Sequence, residues 1–188
     1  MTEIGAGLAA AFRLARGWPD GMDRLPPQDP PRLAVRSFLA LGLCAALEPL
    51  QSWLGGPMDA TGLSRVTFHS LARDVMVTVV SWLAFAVISH RVAVKTGHAG
   101  LWPRYIAAWN WCNLLQSLML AAALGASRLG LPDLLSQTVI LVILGWMTWL
   151  GYFIARVGLG FGVWLGVAMV ALDYAVSQLT QGLMDRLG

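Results

Sequence analysis

The chain has 188 residues, 57% of them apolar and 12% charged, with a mean hydropathy of +0.63. A soluble domain carries about 45–50% apolar and about 25% charged residues. The composition therefore excludes an ordinary water-soluble domain and a disordered chain, and the length accommodates one compact membrane domain.

The formal charge of +3 comes from 13 basic and 10 acidic residues, and Lys95 is the single lysine among the basic ones. No aromatic-interleaved basic patch lies outside the apolar stretches, so the sequence gives no support for nucleic-acid binding. Cys44 and Cys112 sit in apolar surroundings without a CxxC partner and read as small packing residues. There is no P-loop, HExxH or GxSxG pattern, so neither a cofactor nor an enzyme is expected. His90 and His98 bracket one loop instead of facing each other from two spans, which argues against haem.

The N-terminal segment divides in two. Residues 2–17 read as a short amphipathic helix, with Ile4, Leu8, Ala11, Phe12 and Leu14 set against Arg13 and Arg16. Such a helix is expected on the cytoplasmic face of the bilayer, or docked to a partner. It has neither the continuous apolar core nor the cleavage site of a signal peptide. Residues 18–33 hold Pro19, Pro26, Pro27, Pro30 and Pro31, a density that predicts an extended linker. Residues 1–32 are thus expected as a cytoplasmic segment and 33–188 as the transmembrane domain.

A spanning helix needs about 20 mainly apolar residues. Five segments qualify: Leu33–Leu54, Leu71–Ser89, Tyr105–Ser127, Leu134–Ala155 and Val157–Val176. The expected fold is all-α and polytopic, with five transmembrane helices. Arg13, Arg16, Arg24, Arg32, Arg36, Arg91, Lys95, Arg104 and Arg156 fall on one side, against Arg65, Arg73, Arg128 and Arg186 on the other. The positive-inside rule then gives an N-in, C-out orientation. Trp102, Tyr105, Trp109, Trp111, Trp149 and Tyr152 read as an interfacial belt on the inner side, with Trp53 marking the outer side. Arginine-rich composition suggests a bacterial chain and hence the inner membrane.

Gly158, Gly162 and Gly166 recur every four residues and predict one flat strip along the fifth span. Close backbone approach through small residues is what packs helices in lipid, so the strip suggests a helix–helix contact within the chain or with a partner or second copy.

Polar groups inside the bilayer are costly and carry the functional suspicion. Glu48, which precedes Pro49, together with Arg73, Asp74 and Asp173, forms a possible outer-side cluster. It reads either as a proton, cation or headgroup site or as a structural ion pair. Asn110, Asn113 and Gln116 are spaced by three and share a helix face. They suit a polar ligand or a water-filled path, or hydrogen bonds to neighbouring helices. Arg91, Lys95 and Arg104 around the second-to-third span loop suit anionic lipid headgroups.

The stretch SWLAFAVISHRVAVKTGHAGLWPRYIAAWNWCNLLQ, from Ser81, resembles the second-to-third span region of bacterial Yip1-domain proteins. There too an apolar helix ends in a basic residue, a glycine-containing loop follows, and an aromatic–Ala pattern opens the next helix. The acidic-aromatic DLYGP signature of the trafficking members is absent, so the resemblance implies a multi-pass membrane fold and no vesicle-traffic role. Two functional expectations follow. One is a non-catalytic accessory, scaffolding or assembly subunit, motivated by the glycine strip, the aromatic-rich spans, the short loops and the missing catalytic motifs. The other is a small transporter, channel or lipid-handling protein using Glu48, Asp173 and the amides.

Overall fold

The computed structural model describes residues 3–25, 30–56 and 67–187. Every regular element among them is helical. Helix α1 spans Glu3–Leu14 and is followed by a 3-10 turn, Pro19–Arg24. Then come α2 (Pro30–Ser37), α3 (Leu39–Gly55), α4 (Phe68–Lys95), α5 (Trp102–Arg128), α6 (Asp133–Leu159) and α7 (Val163–Leu187).

Proline acts here as a starter of helices. Pro19 opens the 3-10 turn, Pro30 and Pro31 open α2, and Pro103 sits in the first turn of α5. A first-turn proline lacks only an N–H that would have had no intrahelical partner, and its fixed φ suits the helix. This corrects the expectation of an extended linker over residues 18–33 where those residues are described. Pro26 and Pro27 lie outside the described residues.

Four segments are long and apolar enough to cross a membrane: Pro31–Gly55, Phe68–Lys95, Asp133–Leu159 and Val163–Arg186. The chain is thus an all-helical, multi-pass membrane protein by length and composition. Helix α5 has 27 residues but is not among the four. Asn110, Asn113, Gln116 and its tryptophans lower its hydropathy. Its position explains how it tolerates them, because α1, α2, α3 and α6 all pack on it. Tyr105, Ile106, Asn110, Trp111 and Cys112 are each at most 1% exposed.

That burial corrects the reading of Tyr105, Trp109 and Trp111 as an interfacial belt. They belong to the core, and Trp149 remains half-exposed. One face of helix α1 is likewise packed into the core. Ala10, Ala11 and Leu14 are fully buried, and the Trp146 indole donates to Ala15 O at 3.2 Å. A Cβ built on Gly7 would lie 2.2 Å from the Trp111 ring, so only glycine allows α1 and α5 to approach so closely.

The glycine strip is also corrected. Gly158 ends α6, Gly162 lies in the turn and Gly166 lies in the first turns of α7. Gly160 adopts φ +67 at the α6 C-cap, a left-handed conformation that glycine takes without Cβ strain. The repeated glycines break the helix there. The fourth and fifth spans therefore meet at residues 160–162, not at 156.

Helices α4 and α7 pack along each other, α3 packs on both α4 and α5, and α6 bridges α5 and α7. Helix α5 meets α4 over only a short stretch. The space left between the α4–α7 pair and α5 holds two of the polar residues singled out from the sequence, Asn113 and Asp173.

Candidate functional site

Each of the three facing helices offers a row of residues at four-residue spacing: Trp109, Asn113 and Ser117 on α5, Asp173, Ser177 and Gln181 on α7, and Val77 and Ser81 on α4. Residues four apart share a helix face, so each row is a stripe and the three stripes converge. Together with Thr78 and Trp82 they line a cavity of about 280 Å³. A second cavity, of about 250 Å³, shares Trp109, Asn113, Asp173 and Ser177 and extends toward α6 past Phe85, Tyr105, Met147, Thr148 and Met169. Asp173 thus stands between a cavity lined by several polar residues and a mainly aromatic and aliphatic one. Trp109 lines both cavities with it. Asp173 lies ten residues beyond Val163, or about 15 Å along α7, close to mid-helix.

Two buried polar atoms on these walls have no hydrogen-bond partner among the described residues: Ser81 Oγ and Asn113 Nδ2. Ser81 is 9% exposed. An unpaired buried donor costs about 1–3 kcal/mol, so such groups call for an explanation.

The three amides do not act together. Asn110 is fully buried and satisfied on both atoms. It accepts from Trp82 Nε1 at 2.7 Å and donates to Ser37 Oγ at 2.7 Å, and Ser37 in turn donates to Ala34 O at 2.7 Å. This chain of bonds joins α4, α5 and α2 and is structural. Gln116 lines the aromatic cavity and makes a long bond, 3.5 Å, to Met147 O. Asn113 alone keeps a free donor.

The expected outer-side cluster divides. Thr78 donates to Glu48 Oε1 at 2.8 Å, and Ser52 donates to Asp74 Oδ2 at 2.8 Å, both joining α3 to α4. Arg73 reaches Asp185 at 3.0 Å and Asp74 at 3.5 Å. Asp173 has no bond to Glu48, Arg73 or Asp74 among the described residues, because it sits nearer mid-helix on the cavity walls. Thr78 is the link between the two sets: it bonds Glu48 and also lines the polar cavity.

Among the suggested headgroup residues, Arg91 and Lys95 are exposed at the end of α4. Arg104 is committed elsewhere. It donates to Met22 O at 2.7 Å and lies 3.5 Å from the Asp23 carboxylate, holding the 3-10 turn against α5. Outside the spans, Arg13 donates from Nε to Asp20 at 3.0 Å and also pairs with the second carboxylate oxygen. That hydrogen-bonded guanidinium, helped by the charge of Arg24, holds the Asp20 carboxyl below the ordinary carboxylate range. No group of three or more His, Cys, Asp or Glu residues that could hold a metal ion occurs among the described residues.

Sequence reasoning missed Ser81, Ser177 and Gln181. The four-residue spacing of Asp173, Ser177 and Gln181 was the available signal. In comparisons with known proteins, no family model matches the chain, and neither a curated protein nor a solved structure matches it.

Proposed function

We propose that this protein crosses the membrane five times and takes a small polar or charged solute into the bilayer at Asp173, acting as a transporter and not as an enzyme. The observation that carries the reading is the pair of unpartnered buried atoms, Ser81 Oγ and Asn113 Nδ2, on the walls of cavities that share Asp173. A bound solute or its water would satisfy both. An ionisable residue at mid-helix depth in a membrane protein is, by its cost, a functional candidate.

In this reading α5 also spans, third in chain order, and brings the four to five. Its 27 residues reach about 40 Å, enough to cross, and its neighbours shield its amides from lipid. The arginine asymmetry supports N-in, C-out, which turns the polar cavity, with Thr78 and Gln181, toward the outer half of a bacterial inner membrane. Arg91 and Lys95 would then rest among inner-leaflet headgroups. The Yip1-like resemblance enters only as an order of helices. The accessory-subunit alternative drew on a glycine strip, aromatic-rich spans, short loops and missing catalytic motifs; of these, the strip is divided among α6, a turn and α7.

The test is flux in proteoliposomes together with thiol access. In a background carrying Cys44→Ala and Cys112→Ala, a cysteine at Ser177 should react with a membrane-impermeant thiol reagent, and Asp173→Asn should change flux while the protein stays folded. A cysteine at Ser177 that never reacts, combined with unchanged flux in Asp173→Asn, would sink the reading.

A further inference from the structure

We infer that the solute is a small organic ammonium ion bearing an acceptor oxygen. Its cationic head would lie against Asp173 and the aromatic wall, and its oxygen would accept from Asn113 Nδ2. The inference rests on the reading of Asp173 as a binding residue and adds the chemistry of what binds.

Asp173 is the only acidic or basic side chain on the wall of the cavity toward α6. One carboxylate favours one positive charge. A hard divalent cation takes six or more oxygen ligands or several carboxylates, and the described residues hold no such cluster. An inorganic monovalent ion or a proton makes no use of an aromatic wall, yet this cavity is walled by Phe85, Tyr105 and Trp109 beside Met147 and Met169. Phe85 and Trp109 stack with centroids 4.5 Å apart, and Trp82 meets Trp109 edge-on at 5.3 Å, so the Trp109 ring is held in place on the wall it shares with Asp173. Aromatic faces attract organic cations, most of all when water is excluded. The volume of about 250 Å³ is below the usual range for drug-sized ligands and suits a small occupant. Asn113 Nδ2, on the same wall and without a partner, supplies the donor that an oxygen on such a molecule requires.

The experiment is a titration of the whole protein in lipid nanodiscs, read by calorimetry. The probes are choline, tetramethylammonium, the uncharged choline isostere 3,3-dimethylbutan-1-ol, and potassium chloride. Choline should bind at least about tenfold more tightly than the isostere and than potassium, and more tightly than tetramethylammonium, which lacks the oxygen. Asp173→Asn should lose at least about tenfold of the choline affinity. Phe85→Leu should lose about 2- to 30-fold, the range of a cation–π contact, and Phe85→Tyr should restore it. Asn113→Leu should erase the difference between choline and tetramethylammonium. Equal binding of choline, isostere and potassium overturns the ammonium assignment; if binding of any one of them still depends on Asp173, the transport reading survives without it. If Asp173→Asn alters the binding of no probe and Ser177→Cys stays unreactive, both fall together.

Discussion

The indole N–H of Trp82 donates to Asn110 Oδ1 at 2.7 Å, deep between α4 and α5. This bond separates Asn110, which is fully spent on structure, from Asn113 one turn further along, which is not. Replacing Asn110 by leucine would orphan the Trp82 N–H and leave Ser37 Oγ with only its bond to Ala34 O, in a site with no exposure. Orphaned buried donors cost about 1–3 kcal/mol each, although membrane hydrogen bonds average only about 0.6 kcal/mol. We expect Asn110→Leu to lower the thermal midpoint in detergent clearly, and Asn113→Leu, which orphans nothing, to leave it nearly unchanged. Equal losses in the two variants would contradict this division.

The glycines of the α6–α7 region provide a second contrast. A Cβ on Gly162 would meet nothing within 4 Å, whereas one on Gly166 would lie 3.0 Å from both Arg156 Cγ and Tyr152 Cε2. Gly162→Ala should therefore be close to neutral. Gly166→Leu should push α7 from α6 and lower stability by about 1–3 kcal/mol, as overpacking does. Gly160→Ala should cost about 1 kcal/mol through its φ of +67 alone. Unfolding of the three variants in detergent, followed by circular dichroism, checks the order. A strip acting as a unit would instead make Gly162 as sensitive as Gly166.

Much of the fold was readable because apolar length is a strong signal. The stretches from 71 to 89 and from 134 to 155 fall inside α4 and α6. The sequence could not say what surrounds each helix. Trp111 and Tyr105 have the composition of an interface belt, and only the packing of α1, α2, α3 and α6 around α5 makes them core. The Gly158-Leu-Gly-Phe-Gly run supports a packing strip or a turn equally well by spacing. A left-handed residue at Gly160 decides for the turn. For the candidate site, Asp173, Asn113 and Glu48 were visible as costly intramembrane groups. That Asp173 shares a cavity wall with Trp109 while Glu48 takes Thr78 depends on helix rotation, which neighbours set.

Outside the bundle, the Arg13–Asp20 pair ties the end of α1 to the 3-10 turn. Because the hydrogen bond from Arg13 lowers the folded-state pKa of Asp20 from its ordinary 3.8, the carboxylate binds protons less readily folded than unfolded. Its contribution is therefore present above the ordinary value and is lost as pH falls through the lowered one. The pair is exposed, so the effect is small and screened by salt. We expect amide exchange in residues 13–24 to quicken as the pH is taken below 3.8, after correction for the intrinsic rate. Asp20→Asn should show the faster exchange already at neutral pH and no further change on acidification. A pH response that persists in Asp20→Asn would assign it to another group.

At the other end of the bundle, one side chain closes a helix it does not belong to. The last four carbonyls of a helix have no intrahelical donor. Arg128, at the end of α5, supplies donors to the end of α3. Its Nε donates to Leu54 O at 2.6 Å, and its terminal nitrogen donates to Trp53 O and, at 2.8 Å, to Gly56 O. Its guanidinium carbon also lies 5.7 Å from the centre of the Trp53 ring. A cation at a helix C-terminus is favourable toward the macrodipole as well. Charged hydrogen bonds contribute about 1.5–3 kcal/mol each, but water reaches this half-buried site and the three are not additive. Arg128→Ala should therefore destabilise by about 2–3 kcal/mol, within the usual range for losing a cap. Arg128→Lys keeps the charge and loses the planar fork that reaches several carbonyls at once, so it should recover only part of the loss. The measurement is the thermal midpoint of the three proteins in one detergent, with exchange of the amides from 50 to 56 as the local readout. A lysine variant as stable as the parent would mean that the charge, and not the triple donation, holds α3 to α5.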